Sequence, residues 1–349
     1  MKLNRMTDIG QFRQVIRAVQ HQARFDGYDA DGEPIYNNDR LPTLTVNGTV
    51  KIHGTNAGVS FHKGDLYAQS KKNVITVEKD NAGFALFVEK EREMFNTLFN
   101  VIKELHNIDT NENIVSIMGE WAGKGVQGGV AVSQLDKKFY IFGIKVRPVD
   151  EEIASYWIYH DTFPYKVINV HDMYNVNQFK TFELDIDFNE PLMSQNKMVD
   201  MVMGVEKECP VGKYFGVEGI GEGIVFTFNF KGNRHIFKMK GDKHAGKSKV
   251  KVAKKVDNVK LQKIIDLVDL LTPVWRLEQM YSETFDVING GKGDVKGTGD
   301  FLRAMHRDIM KEEMDLIAES GLEPKELNKR ISIESRQWFM KKLDEEAGL

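Results

Sequence analysis

The apolar residues of this chain recur with two different periods, and the change between them near residue 245 limits the folds open to it. Before that point the apolar runs are short and strand-like. Leu44-Thr45-Val46 and Thr49-Val50-Lys51 are rich in β-branched residues, and residues 57–62 and 66–70 flank Lys63-Gly64-Asp65 as the arms of a hairpin. Residues 114–118, 139–146, 223–230 and 235–240 read as further strands. One stretch departs from this pattern, since Phe84, Val88, Phe95, Leu98, Ile102 and Leu105 share one face of a helix. The first 240 residues are therefore predicted to be α+β, with several antiparallel strands and few helices.

Beyond residue 245 the period is helical. Residues 246–260 carry six lysines against one aspartate, with almost no large apolar side chain, the composition of a basic linker. Val259, Leu261, Ile264, Ile265, Val268 and Leu271 then form one stripe ending near Pro273. Leu302, Met305, Ile309 and Leu316 form a second, from Asp300 to Ser320-Gly321, and a third helix begins at Glu323-Pro324. A glycine-rich loop over 290–299 is predicted between the first two. The expected organisation is one domain over 1–245 and a small all-helical one over 246–349, with no internal repeat.

Composition excludes a few classes. The single cysteine, Cys209, rules out an intrachain disulfide and has one basic neighbour, Lys207, too little to make a reactive thiolate. No apolar run has the length of a membrane span, and Met1-Lys2-Leu3-Asn4-Arg5 lacks a signal-peptide pattern, so a cytoplasmic protein away from membranes is predicted. The net charge of −3 does not mark a nucleic-acid binder, although a whole-chain balance conceals local basic surfaces.

Five clusters, taken in order, suggest a chemistry. Lys51-Ile52-His53-Gly54-Thr55-Asn56 closes a strand and offers an amine in a turn whose glycine lets backbone approach a phosphate. Gly119-Glu120-Trp121 follows the apolar run ending at Met118. Phe139-Tyr140-Ile141-Phe142-Gly143 supplies aromatic rings on a strand, and Glu222-Gly223-Ile224-Val225 opens another. In Lys238-Met239-Lys240, strand alternation puts both lysines on one face. An amine, two carboxylates, an aromatic platform and a pair of cations suit nucleotidyl transfer.

In order and spacing these motifs resemble the RNA ligase 2 branch of the covalent nucleotidyltransferases, which includes phage RNA ligases and RNA-editing ligases. The likeness lies in K-x-H-G-T-N at 51–56, G-E-W-A-G at 119–123, the aromatic strand, and the motifs at Glu222 and Lys238-Met239-Lys240. It covers about 40–245 closely and the tail loosely. The resemblance implies an ATP-grasp-like adenylation domain of antiparallel sheets followed by helices, acting as a monomer on RNA with ATP and Mg2+. It implies that Lys51 attacks the α-phosphate of ATP, and that Ile52, His53, Gly54 and Asn56 belong to the nucleotide site. Glu120 would hold the ribose, Phe142 stack on adenine, Glu222 bind magnesium, and Lys238 and Lys240 grip the α-phosphate. These two lysines and the metal would also be the cations that favour a neutral, nucleophilic Lys51. Two positions depart from the pattern. Lys71 stands where the family usually has a phosphate-binding arginine, which costs the bidentate fork. Val50 precedes the nucleophile where phage relatives carry glutamate, leaving backbone atoms to read the base.

Two further features need weighing. Gly241-Asp242-Lys243-His244-Ala245-Gly246-Lys247-Ser248 matches a P-loop pattern, but the strand before it carries alternating charges and no helical stripe follows. In the tail, the lysines at 247, 249, 251, 254 and 255, with Arg276, Arg303, His306 and Arg307, are expected to track RNA phosphates.

Overall fold

The computed structural model describes the chain except residues 7, 30–31, 38, 159–170, 245–254, 288–289 and 348–349. It forms two compact units. The first comprises Met1–Arg17, Thr43–Ile186 and Lys197–Lys254, and the second Ala18–Pro42, Asp187–Asn196 and Lys255–Leu349. In chain order the elements begin with α1 (Phe12–Arg24), β1 (Phe25–Tyr28), β2 (Pro34–Tyr36), β3 (Thr43–Val50), β4 (Thr55–His62), β5 (Asp65–Ser70) and β6 (Val74–Ile75). There follow α2 (Phe84–Lys90), α3 (Arg92–His106), β7 (Asn113–Ala122), β8 (Lys138–Pro148), β9 (Tyr156–Ile158), β10 (Met173–Asn175) and β11 (Thr181–Asp187). Next come α4 (Gln195–Lys207), α5 (Pro210–Tyr214), β12 (Gly223–Phe230) and β13 (Asn233–Lys240). The chain ends with α6 (Asn258–Leu271), α7 (Val274–Phe285), α8 (Thr298–Glu312), α9 (Met314–Ser320) and α10 (Pro324–Ala347).

The first unit is built on two sheets. One has seven strands in the order β10-β8-β7-β4-β5-β6, with β9 added to β8; the other has four, β11-β3-β12-β13. β10 joins β8 in parallel, whereas β4–β5, β4–β7, β7–β8, β12–β3 and β12–β13 are antiparallel. The predicted hairpin is β4–β5. Its two turn residues, Lys63 and Gly64, have φ of 50° and 85°, the handedness that matches strand twist.

One face of the larger sheet buries Val59, Ile117, Ile141, Ile144 and Val146 against Phe84, Val88, Phe95, Leu98, Phe99 and Ile102. Each such side chain contributes roughly 1.5–3 kcal/mol by leaving water. The single helix expected over this stretch is two, broken at Glu91, and Leu105 is 57% exposed. Leu105 shares the second helix with the buried Phe95, Leu98 and Ile102 but stands in its last turn, outside the core cluster. The other face is crossed by the N-terminal segment. Asn4 Nδ2 donates to Ser116 Oγ at 3.0 Å, Gln69 Nε2 to Asn4 O at 2.7 Å, and Ser60 Oγ to Gln69 Oε1 at 2.8 Å. All four residues are fully buried, so each polar group needs these partners.

A bulge separates the two halves of β8. Met118 pairs with Gly143 but Gly119 pairs with Ile141, which leaves Phe142 as the extra residue. Ile141 and Ile144 can therefore both enter the core although they are three positions apart, and Phe142 faces away from it.

In the second unit α6–α10 pack around Val268, Leu271, Phe301, Met305, Ile309 and Phe339, all fully buried. The predicted stripes are partly displaced. Val259 is 82% exposed, the second stripe is divided at Glu313 into α8 and α9, and α7 occupies a stretch before the expected 290–299 loop for which no element was predicted.

Candidate nucleotidyl-transfer site

Lys51 follows directly on β3, and its backbone N–H donates to Gly223 O at 2.8 Å, so the start of β12 lies beside it. That brings Glu222 to the lysine. Lys51 Nζ is 2.7 Å from Glu222 Oε2, His53 Nδ1 is 3.1 Å from the same oxygen, and Lys240 Nζ is 2.6 Å from Oε1. The Glu222 carboxylate is 2% exposed. Burial alone would raise its pKa, but the His53 hydrogen bond and the charges of Lys51 and Lys240 outweigh burial and hold it far below the ordinary carboxylate range. Gly223 allows this close approach, since with φ at 150° a Cβ there would lie 2.1 Å from Met239 O.

Glu120 sits in β7 opposite Asn56 of β4. Asn56 Nδ2 donates to its Oε2 at 2.6 Å and the Gly54 N–H to its Oε1 at 3.1 Å. Here burial prevails and raises the pKa, with Lys51 and Asn56 pulling less strongly the other way. Gly54 has a structural reason to be glycine that differs from phosphate approach. A Cβ would meet Trp121 O at 2.3 Å and Ala122 Cβ at 2.7 Å, where the turn passes over β7.

Lys51, Ile52, Asn56, Glu120 and Phe142 line one cavity of about 370 Å³, within the range of small-molecule sites. Met6 and Ile9, carried there by the N-terminal segment, and Thr227 and Ile236 from the smaller sheet complete its walls. His53 and Lys240 join this group through Glu222. Lys238 shares the Lys240 face of β13, and burial first, then the Lys51 and Lys240 charges, lower its pKa. Lys71 does not line the cavity. It pairs with Asp8 at the surface, although its charge reaches Lys238.

Sequence reasoning missed Trp157 and Arg234, which line the cavity beyond Phe142. Trp157 lies on a three-residue strand too short to show a period, and Arg234 follows the Lys231-Gly232 turn, a position that reads as ordinary hairpin surface.

The P-loop pattern lacks its structural context. β13 ahead of it is antiparallel to β12, Asp242–His244 is a 3-10 turn, and residues 245–248 lie outside the described residues. The tail needs one correction. Arg276 is 3% exposed, with Nε 3.0 Å from Asp308 Oδ2, Nη1 donating to Leu271 O at 2.9 Å and Nη2 paired with Glu313. It braces the helical core and is not placed to meet a phosphate. His306 is engaged with Ser332 at 2.8 Å and Arg303 with Asp300, while Arg307 is exposed. The lysines at 247, 249, 251 and 254 lie outside the described residues, and Lys255 is exposed.

Among the described residues no cluster of three or more His, Cys, Asp or Glu suits a metal ion. Magnesium often takes one or two protein carboxylates and completes its shell with phosphate and water. Glu222 fits that use provided the ion displaces Lys51 or Lys240 from it.

Two largely antiparallel sheets meet at a cavity lined by Lys51, Glu120 and Phe142, and the fold is α+β. A family model for RNA ligase matches residues 44–240, more than half of the 349 residues, and the chain belongs to that family. No curated protein matches it. Similar solved structures include Naegleria gruberi RNA ligase with PPi, at 15% identity and TM-score 0.44, covering 71% of this chain and 59% of that one. A variant of that enzyme with ATP and Mn aligns at 15% identity and TM-score 0.43, covering 70% and 57%. Another with AMP and Mn gives 14% and 0.42, covering 70% and 58%. This chain thus spans less than two thirds of those proteins, and likenesses of this size assign no residue a role.

Proposed function

We propose that the chain is an ATP-dependent RNA ligase that joins 3′-OH and 5′-phosphate ends through lysyl-AMP on Lys51. The observation that carries this reading is the buried Glu222 carboxylate, which gathers Lys51, His53 and Lys240 at the edge of a cavity that also holds Asn56, Glu120 and Phe142. In the first step Lys51 Nζ attacks the α-phosphorus of ATP. The N–P bond forms, the bond to the bridging oxygen breaks, pyrophosphate leaves with that electron pair, and the amine proton passes to water. A 5′-phosphate oxygen of RNA then displaces Lys51 from the adenylate, and the 3′-OH of the other end displaces AMP.

Each residue has a part that fits its surroundings. Glu222 holds the amine beside the cavity until the phosphate arrives, and Lys51 must leave it to attack. Lys238 and Lys240 face the charge that builds on phosphorus. Glu120, fixed by Asn56 and Gly54, accepts from the ribose hydroxyls, and Phe142 offers its face to the adenine. Magnesium, held by Glu222 when bound, would neutralise triphosphate charge. Lys71 would reach a terminal phosphate after leaving Asp8. The helical unit would meet RNA through exposed positions such as Arg307 and Lys255, without Arg276.

The test is incubation with α-labelled ATP and magnesium followed by denaturing electrophoresis. The wild-type chain is expected to keep the label and Lys51→Ala to lose it, while retaining some sealing of a preadenylylated RNA. Labelling of Lys51→Ala at the wild-type level rules the assignment out.

A further inference from the structure

The cavity continues past Phe142 to a wall that the chemistry at Lys51 does not use. On β13, Arg234, Ile236, Lys238 and Lys240 share a face, and Arg234 stands about 13 Å along the strand from Lys238. Its guanidinium carbon lies 5.1 Å from the centroid of the Trp157 ring. Trp157, in β9 opposite Lys145 of β8, has its ring centroid 6.4 Å from that of Phe142, with 41° between the planes. Phe142, Trp157 and Arg234 all line the cavity, so the wall runs from ring to ring to cation.

On the function proposed above, the phosphate is anchored at Lys51 and the ribose at Glu120, which fixes how far the base can extend. We propose that Trp157, backed by Arg234, sets which nucleobase the cavity accepts: a purine on Phe142 extends its second ring to the indole, whereas a pyrimidine stops short. Selection here is by aromatic area, since a stacking face rewards a larger ring system whichever polar atoms it carries. Val50, next to the nucleophile, adds no side-chain polar atom to read the base. Arg234, over one face of the indole, holds the ring in place through a cation–π contact.

The experiment uses the full chain with Lys51→Ala, so that binding is read without covalent capture, titrated at equilibrium with ATP and with CTP. Adding Trp157→Ala is expected to weaken ATP about tenfold, within what one base–aromatic stack is worth. CTP should weaken less than about twofold, so the preference between the two shrinks. Trp157→Phe should keep most of the ATP affinity, and Arg234→Lys should recover part of what Arg234→Met loses. ATP should also quench indole emission in the Lys51→Ala chain, and Trp157→Phe should abolish that quench. Equal losses for ATP and CTP, or an unchanged preference with a lowered Tm, would overturn the proposal and make the pair a brace for the β12–β13 hairpin. If the wild-type chain takes no label from ATP but the purine preference behaves as stated, the ligase reading fails and the base wall stands.

Discussion

Glu222 and Glu120 serve the same cavity and are held in opposite ways. Glu222 is surrounded by potential cations, Lys51, Lys240 and His53, and stays charged although it is buried. Glu120 receives an amide and a backbone N–H, both neutral, and burial pushes it toward the protonated form. A buried carboxylate is thus set by the charge of its donors more than by their number. The difference also suits the proposed roles, since a group that parks amines must be anionic, whereas one that faces ribose hydroxyls is constrained chiefly in position.

The largest effect is expected at the cation-held end. Glu222→Gln keeps the shape and leaves Lys51 and Lys240 facing each other without a counter-charge. Removing one partner of a buried ion pair costs about 3–5 kcal/mol, so a clear fall in Tm is expected. Protein–AMP formation should drop by about 10²–10³-fold. The pH dependence has a definite sign. Because the folded-state pKa is depressed, Glu222 stabilises the wild-type fold above the unfolded carboxyl value of about 4.3, and that stability is lost as pH falls toward the folded value. The Tm gap between wild type and Glu222→Gln should therefore narrow on acidification below about pH 4.3. A gap independent of pH would show that the charge of Glu222 does not matter.

At the amide-held end the sign reverses. A raised folded-state pKa means that wild-type stability is full below the unfolded value and falls as pH rises through the folded one. Glu120→Gln removes that ionisation, and Asn56 can turn its amide to accept from the new one. Tm at neutral pH should stay level or rise, with the two proteins converging in acid. KM for ATP should increase about tenfold, one hydrogen-bonded contact's worth, with kcat for adenylylation much less affected. A loss in kcat as deep as that of Glu222→Gln would erase the distinction between the two carboxylates.

Much of this site was legible because its residues stand at strand ends, where motif and period coincide. Lys51, Glu222 and Lys240 each lie at the end of a readable strand, and alternation alone placed Lys238 and Lys240 together. What joins them was not legible. The Glu222 pairing with Lys51 spans 171 residues, and no local pattern encodes it. The Phe142 bulge is hidden because residues 139–146 are apolar on both faces, so the run shows no alternation to be broken. Gly54 was read for its freedom near phosphate, whereas the constraint comes from Trp121 on another strand. Arg276 failed for the opposite reason: in sequence a lone arginine on a helix reads as surface, and its burial depends on Asp308 and Glu313 from other turns of the core.

Asp8 and Lys71 extend the comparison to the surface, where the smallest effect is expected. Lys71 again approaches a carboxylate, but Asp8 is 87% exposed, and its pKa is lowered chiefly by the Lys71 hydrogen bond and charge. Water screens such a pair, and holding two long side chains together offsets most of its attraction. Asp8→Asn should accordingly leave Tm unchanged within error. What it should alter is the availability of Lys71, and with it the field at Lys238, to an incoming triphosphate. KM for ATP is expected to fall by roughly two- to threefold at low ionic strength, and the advantage to vanish near 1 M salt, where the screening length is about 3 Å. Lys71→Ala in the same background should cancel the gain, because no amine is left to release. A gain that survives Lys71→Ala, or that persists in high salt, would place the effect of Asp8 in the path of the N-terminal segment past Met6 and Ile9 rather than in its charge.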